Sequence, residues 1–99
     1  RIALLSDIHG NDIALEAVLD DIEQRSVDRI ICLGDVATLG PAPVRTLQIL
    51  RELCCPCILG NHDAFLLDPD LIHTYTEAPE VVEAVIGVGN SFSRRILIF

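Results

Sequence analysis

Ninety-nine residues, 51% hydrophobic and 22% charged, make one globular domain or part of one and exclude wholesale disorder, which needs low hydrophobicity and high charge. Seven Arg and no Lys stand against fifteen Asp plus Glu, a net charge of −8. Such a chain is not expected to bind nucleic acid generally or to cross a membrane, but it can concentrate cations.

The four cysteines, Cys32, Cys54, Cys55 and Cys57, lack the spacing of a disulfide framework, and Arg1 leads straight into Ile2-Ala3-Leu4-Leu5 without a signal-peptide pattern. The expected setting is the reducing cytoplasm.

In chain order, Ile2 to Ser6 is a short apolar run ended by Asp7-Ile8-His9-Gly10-Asn11, which suits a buried parallel strand. From Asp12 the period becomes helical, with Leu15, Val18, Leu19 and Ile22 on one face and Asn11 or Asp12 as the cap. Arg29 to Leu33 is a second strand, ended by Gly34-Asp35. Pro41 and Pro43 open a second helix, where a missing N–H costs nothing, and Leu47, Leu50 and Cys54 are expected to face the sheet with Leu53 beside them. Pro56 stops that helix, and Cys57-Ile58-Leu59 is a third strand ended by Gly60-Asn61-His62-Asp63. The order βαβαβ implies an α/β fold with a parallel sheet and right-handed crossovers. Further on, Leu66 to Tyr75 is mixed, Pro79 to Ile86 reads as a helix, Gly87, Gly89 and Asn90 as a turn, and Arg95 to Phe99 as a fourth strand.

Polar residues fall at three successive strand ends. Ligands of an open parallel sheet bind at the carboxyl ends of its strands, so Asp7, His9, Asp35, Asn61, His62 and Asp63 are expected at one edge. Taken singly, each is a turn residue, a cap or a solvated histidine. Taken together they are a carboxylate, imidazole and amide set for a divalent cation, with no Lys to neutralise the clustered acids. The other features read structurally: Cys54 and Cys57 as small core residues at a helix end and a strand start, and Arg45, His73 and the Arg94-Arg95 pair as surface.

Asp7-Ile8-His9-Gly10-Asn11, then Gly34-Asp35, then Gly60-Asn61-His62-Asp63, with Gly40-Pro41-Ala42-Pro43 between, resembles the calcineurin-like metallophosphoesterases over residues 2–67. The match is to the small bacterial and archaeal phosphodiesterase-type branch. The Ser/Thr protein phosphatases carry an Asp-Arg-Gly after the Gly-Asp turn, and here Val36-Ala37-Thr38-Leu39-Gly40 follows.

The resemblance implies two divalent ions, Mn²⁺ first, with Fe, Ni or Zn as the others, and a bridging hydroxide that attacks a phosphoester. Asp7 and His9 would hold the first ion, Asp35 both, and Asn61 the second. His62 would assist the leaving oxygen, and Asp63 would orient His62. It also implies later histidines in Gly-His and Gly-His-x-His turns, which none of His9, His62 and His73 matches. With the absence of Met, this leads to the expectation that residues 1–99 form one incomplete domain, the N-terminal part of a longer enzyme and about half of an α/β/β/α sandwich. A sheet face of Ile2, Leu4, Ile30, Cys32 and Ile58 would then lack a cover and invite self-association.

Two other readings compete. A non-catalytic scaffold with the same fold would have no need to retain Asp7, His9, Asp35, Asn61 and His62. A hydrolase with an aspartate nucleophile wants Asp-x-Asp at the first strand end, where this chain has Asp7-Ile8-His9.

Overall fold

The computed structural model describes residues 1–74, 79, 80 and 83. The predicted Gly87–Asn90 turn, the Arg94-Arg95 pair, the Arg95–Phe99 strand and most of the predicted Pro79–Ile86 helix lie outside them.

Strand β1 (Ile2–Leu5) and strand β2 (Arg29–Cys32) pair in parallel, with Ala3 opposite Ile30 and Leu5 opposite Cys32. Helix α1 (Asp12–Gln24) makes the crossover between them, as predicted. Its cap is Asn11, whose side-chain oxygen accepts from the Ala14 N–H at 3.0 Å. Leu15 and Ile22 are buried, but Val18 is exposed, because this short sheet covers a narrower stripe of the helix than the period allows.

Helix α2 (Pro43–Glu52) opens at Pro43, as expected. It buries Thr46, Ile49 and Leu50, and the Thr46 hydroxyl donates to the Pro43 carbonyl at 2.8 Å, so this buried polar group is satisfied. Cys54, expected to face the sheet, is instead exposed. The helix ends at Leu53, and Cys54 turns into the left-handed region at φ 50°. Cys54 N–H donates to Arg51 O at 3.0 Å and Cys55 N–H to Leu50 O at 3.2 Å, the two bonds of a Schellman stop. A position with that φ suits glycine. Cys54→Gly is expected to stabilise the fold by about 0.5–1 kcal/mol, the left-handed penalty of a side chain less glycine's extra chain entropy. A raised thermal midpoint would show it, and an unchanged or lowered one would contradict it.

The third strand is reduced to one bridge. Cys32 N–H donates to Pro56 O at 2.9 Å and Ile58 N–H to Cys32 O at 2.8 Å, pairing Cys32 with Cys57 in parallel. One step back, the Ile30 carbonyl would need an N–H from Pro56, which has none, and the Cys55 thiol reaches it at 3.5 Å. One step forward, Gly34 turns the chain away at φ 103°. Proline on one side and glycine on the other therefore stop the ladder at a single pair.

The core groups Leu5, Leu15, Ile22, Cys32, Val36, Ala37, Ile49 and Leu50. The register corrects the expected open face. Ile30 and Cys32 share the helix-covered face with Ala3 and Leu5, and Cys32 is fully buried. Ile2 and Leu4 are exposed, as is Ile58. Cys57, expected in the core, is also exposed. Among the described residues, no helix is long and apolar enough to cross a membrane.

Candidate metal centre

Beyond the strands, the first two turns stay zipped to each other. Asp7 N–H donates to Gly34 O at 3.2 Å, His9 N–H to Asp35 O at 2.9 Å, and Gly10 N–H to Val36 O at 2.8 Å. These bonds lie outside the strand ladder and set the Asp7-Ile8-His9 turn beside Asp35. Ligand atoms of Asp7, His9 and Asp35 all lie within 4.8 Å of one another.

Asp7 (φ 56°), His9 (φ 46°) and Asp35 (φ 57°) are all left-handed. Each costs about 1–3 kcal/mol unless the surroundings hold it, and strain of this kind gathers where side chains must converge. Two carboxylates and an imidazole are the donors a divalent ion takes, and the two carboxylates repel each other without one. The donor set therefore fits a cation. His9 Nε2 lies 3.6 Å from Asp7 Oδ1, too long for a hydrogen bond, so the two meet as neighbouring donors.

The predicted Gly60-Asn61-His62-Asp63 turn proves to be the start of helix α3 (Asn61–Leu67). Asp63 explains the helical start. Its Oδ2 accepts from the Gly60 N–H at 2.8 Å, which satisfies the residue before the helix from the third position within it. The same oxygen accepts from Asp35 N–H at 2.7 Å, and Oδ1 from Val36 N–H at 2.9 Å. The resemblance gives Asp63 the role of orienting His62; these bonds run to backbone. They clasp the third turn onto the second. In return, the His62 backbone N–H donates to Asp35 Oδ1 at 2.9 Å.

The clasp leaves no room at Gly60. A side-chain carbon there would overlap Asp35 Oδ1 and stand 2.7 Å from Asp35 N. Gly60→Ala is expected to cost about 2–3 kcal/mol in folding stability, in the range of overpacked positions, and to weaken cation binding with it. Urea unfolding with and without Mn²⁺ reads both, and an unperturbed midpoint would contradict the close packing.

The His62 ring meets His9 edge-on, with centroids 5.0 Å apart, and Phe65 on its other side at 5.3 Å. Burial pulls the His62 imidazole below its ordinary value; the Asp35 carboxylate pulls against this and His9 with it. The ring sits beside the candidate ligands. Asn61 is exposed at the first position of α3, next to His62. His73 lies in the 3₁₀ turn Pro69–Thr74, exposed and outside the ligand group.

The residue pattern did not single out Thr38. It is 1% exposed, and its carbonyl oxygen and hydroxyl both lie 3.2 Å from His9 Nδ1. The only available signal was one polar residue among Val36, Ala37 and Leu39, which is too weak to act on.

A family model described as calcineurin-like phosphoesterase matches residues 1–95. The chain belongs to that family. An uncharacterized protein of Methanocaldococcus jannaschii is 40% identical over 76 residues, covering 77% of this family member and 31% of the relative. The symmetrical bis(5'-nucleosyl)-tetraphosphatase of Erwinia tasmaniensis is 36% identical over 67 residues, covering 65% of this chain and 24% of that one. Among solved structures, a metallophosphoesterase from Sphaerobacter thermophilus superposes with a TM-score of 0.66 at 32% identity, covering 91% of this chain and 35% of that one. The chain thus spans about a third or less of the length of the relatives it matches.

Proposed function

We propose that this chain carries the metal-binding part of a phosphoester hydrolase, within a single domain whose motif-bearing portion is residues 2–67. The observation that carries the reading is the convergence of Asp7, His9 and Asp35 on three strained residues of two zipped turns. Asp7 and His9 would hold a first divalent ion, Asp35 would serve this ion and a second, and Asn61 would offer its side-chain oxygen to the second. Mn²⁺ suits a set so rich in oxygen; Fe, Ni and Zn are the other ions to compare. When bound, such ions would neutralise charge on the phosphoryl oxygens and lower the pKa of a water so that it can act as nucleophile.

The protein's own groups do the rest. His62, beside His9, steadies the departing oxygen by donating a hydrogen bond or, in its imidazolium form, protonates it. Asp63 sets the position of His62 by locking the first turn of α3 to the Asp35 turn. The substrate class is a phosphodiester or a small phosphomonoester, and the relative's printed activity adds dinucleoside tetraphosphates to the compounds to test. A cytoplasmic setting and self-association through exposed Ile2, Leu4 and Ile58 belong to the same reading.

The test is turnover of bis-p-nitrophenyl phosphate and p-nitrophenyl phosphate by purified protein loaded with Mn²⁺, compared with the same protein after chelation. Chelator-sensitive turnover supports the reading. Bound Mn²⁺ with neither substrate turned over would favour a non-catalytic scaffold.

A further inference from the structure

We infer that Thr38 is a positioning residue that fixes the tautomer and direction of His9, so that the lone pair of Nε2 is presented to the cation. The inference rests on the metal reading above and adds a residue to it.

Two atoms of Thr38 meet one nitrogen of His9. The carbonyl oxygen lies 3.2 Å from Nδ1 and the hydroxyl oxygen also 3.2 Å. A carbonyl oxygen only accepts, so a bond to it requires a proton on Nδ1. The hydroxyl can then accept from the same proton as a second branch. With Nδ1 protonated, neutral His9 carries its lone pair on Nε2, the nitrogen that faces Asp7 Oδ1 at 3.6 Å.

The opposite tautomer would set two lone pairs, Nδ1 and the carbonyl oxygen, against each other. Its attractions are the Thr38 hydroxyl proton, which Nδ1 could then accept, and a proton on Nε2 directed at Asp7. The Asp7 contact is too long for a hydrogen bond, and the Asp7 side chain is 67% exposed, where water screens it. Thr38 is 1% exposed, where an unmade bond to its carbonyl is costly. The hydroxyl can serve either tautomer and the carbonyl only one, so the carbonyl decides.

Thr38 is also held in place. Val36 and Ala37 before it are buried in the core, and Gly40 after it packs so closely that a side-chain carbon there would overlap the His9 carbonyl oxygen. The segment that carries Thr38 therefore cannot drift from the His9 turn without unpacking both. Partners of this kind raise ligand basicity and fix the ring, and their loss typically lowers metal affinity by about 10–100-fold.

Two measurements test this without relying on activity. In long-range ¹H–¹⁵N spectra of the metal-free wild-type chain, at mildly alkaline pH where imidazoles are neutral, His9 is expected to show a protonated Nδ1 and a bare Nε2. A protonated Nε2 as the main form would overturn the inference. In calorimetric Mn²⁺ titrations, Thr38→Val, which removes the hydroxyl branch and keeps the carbonyl, is expected to retain the protonated Nδ1 and to lower affinity by no more than about 10-fold, the lower end of what an outer-shell partner supplies. Thr38→Ser is expected to keep wild-type affinity.

A folded Thr38→Val in which the His9 proton moves to Nε2 would overturn the carbonyl's hold on the tautomer while leaving the metal site standing. Wild-type protein that takes up no Mn²⁺ would remove the metal reading itself, and the His9 spectrum would still decide what Thr38 does. If Thr38→Val does not fold, the wild-type spectrum and the Ser variant decide, with an affinity loss in Ser despite an unchanged spectrum counting against the hydroxyl's role.

Discussion

Asp35→Asn is expected to lower Mn²⁺ affinity by more than about 100-fold, the upper end of what losing an outer-shell partner costs, and to take chelator-sensitive turnover below detection. The substitution separates two roles of one side chain. Asp35 Oδ1 accepts from the His62 backbone N–H at 2.9 Å, and an asparagine oxygen can still do so. What asparagine loses is the negative charge and one acceptor oxygen facing Asp7 and His9. The fold should therefore survive, with the urea midpoint close to wild type, while the cation leaves. Calorimetric titration beside urea unfolding reads both quantities. Undiminished affinity would remove Asp35 from the metal site, and loss of fold together with affinity would mean that its charge is structural.

Asp63→Ala is expected to show the reverse balance, with stability lost first. Three backbone N–H groups, of Asp35, Val36 and Gly60, donate to its carboxylate at 2.7–2.9 Å. Hydrogen bonds to a charged group contribute about 1.5–3 kcal/mol each, and an N–H left without a partner in a buried place adds a penalty. Asp63 is half-buried, so the lower end applies, and a loss of about 4–5 kcal/mol is expected. Asp63→Asn keeps one acceptor oxygen but turns an amide toward donors, so it should fall between. The midpoint in urea should drop at unchanged slope, which reports stability rather than a change in the exposed surface. Mn²⁺ affinity should fall too, because the Asp35 turn is no longer held. A loss below about 0.5 kcal/mol, the size of an ordinary surface change, would mean that the clasp is incidental.

The two substitutions give opposite signatures for residues that the sequence motif presents as equals. Asp35 is a proposed ligand with a minor structural bond. Asp63 is a structural clasp whose effect on the site is indirect. His62 stands between them, its backbone tied to Asp35 and its ring against His9.

The sequence by itself determined what depends on near neighbours. The apolar run Ile2–Leu5, the helical period from Asp12, the proline opening of α2 and the polar strand ends all follow from interactions within about four residues along the chain. The residue types Asp7, His9 and Asp35 already pointed to a cation, because two carboxylates and an imidazole make a donor set for one. Their convergence at one edge followed from parallel order alone, and the structure brings those three together.

Tertiary structure decided what depends on distant partners. Asp63 meets N–H groups 27 and 28 positions away, and Thr38 meets His9 across 29 positions. Nothing in the neighbouring residues marks either contact, since a carboxylate at the third helical position and a threonine in a loop are ordinary locally. Burial failed in the same way. Val18 keeps the helical period yet faces solvent, and Cys54 keeps it until one left-handed residue turns it out. Register placed Ile30 and Cys32 under the helices because a parallel pair puts opposed residues on one face, and only the pairing partner reveals which face that is. Local periodicity says where a side chain points relative to its own element; what stands opposite, and so what the side chain does, is settled by the packing of the elements.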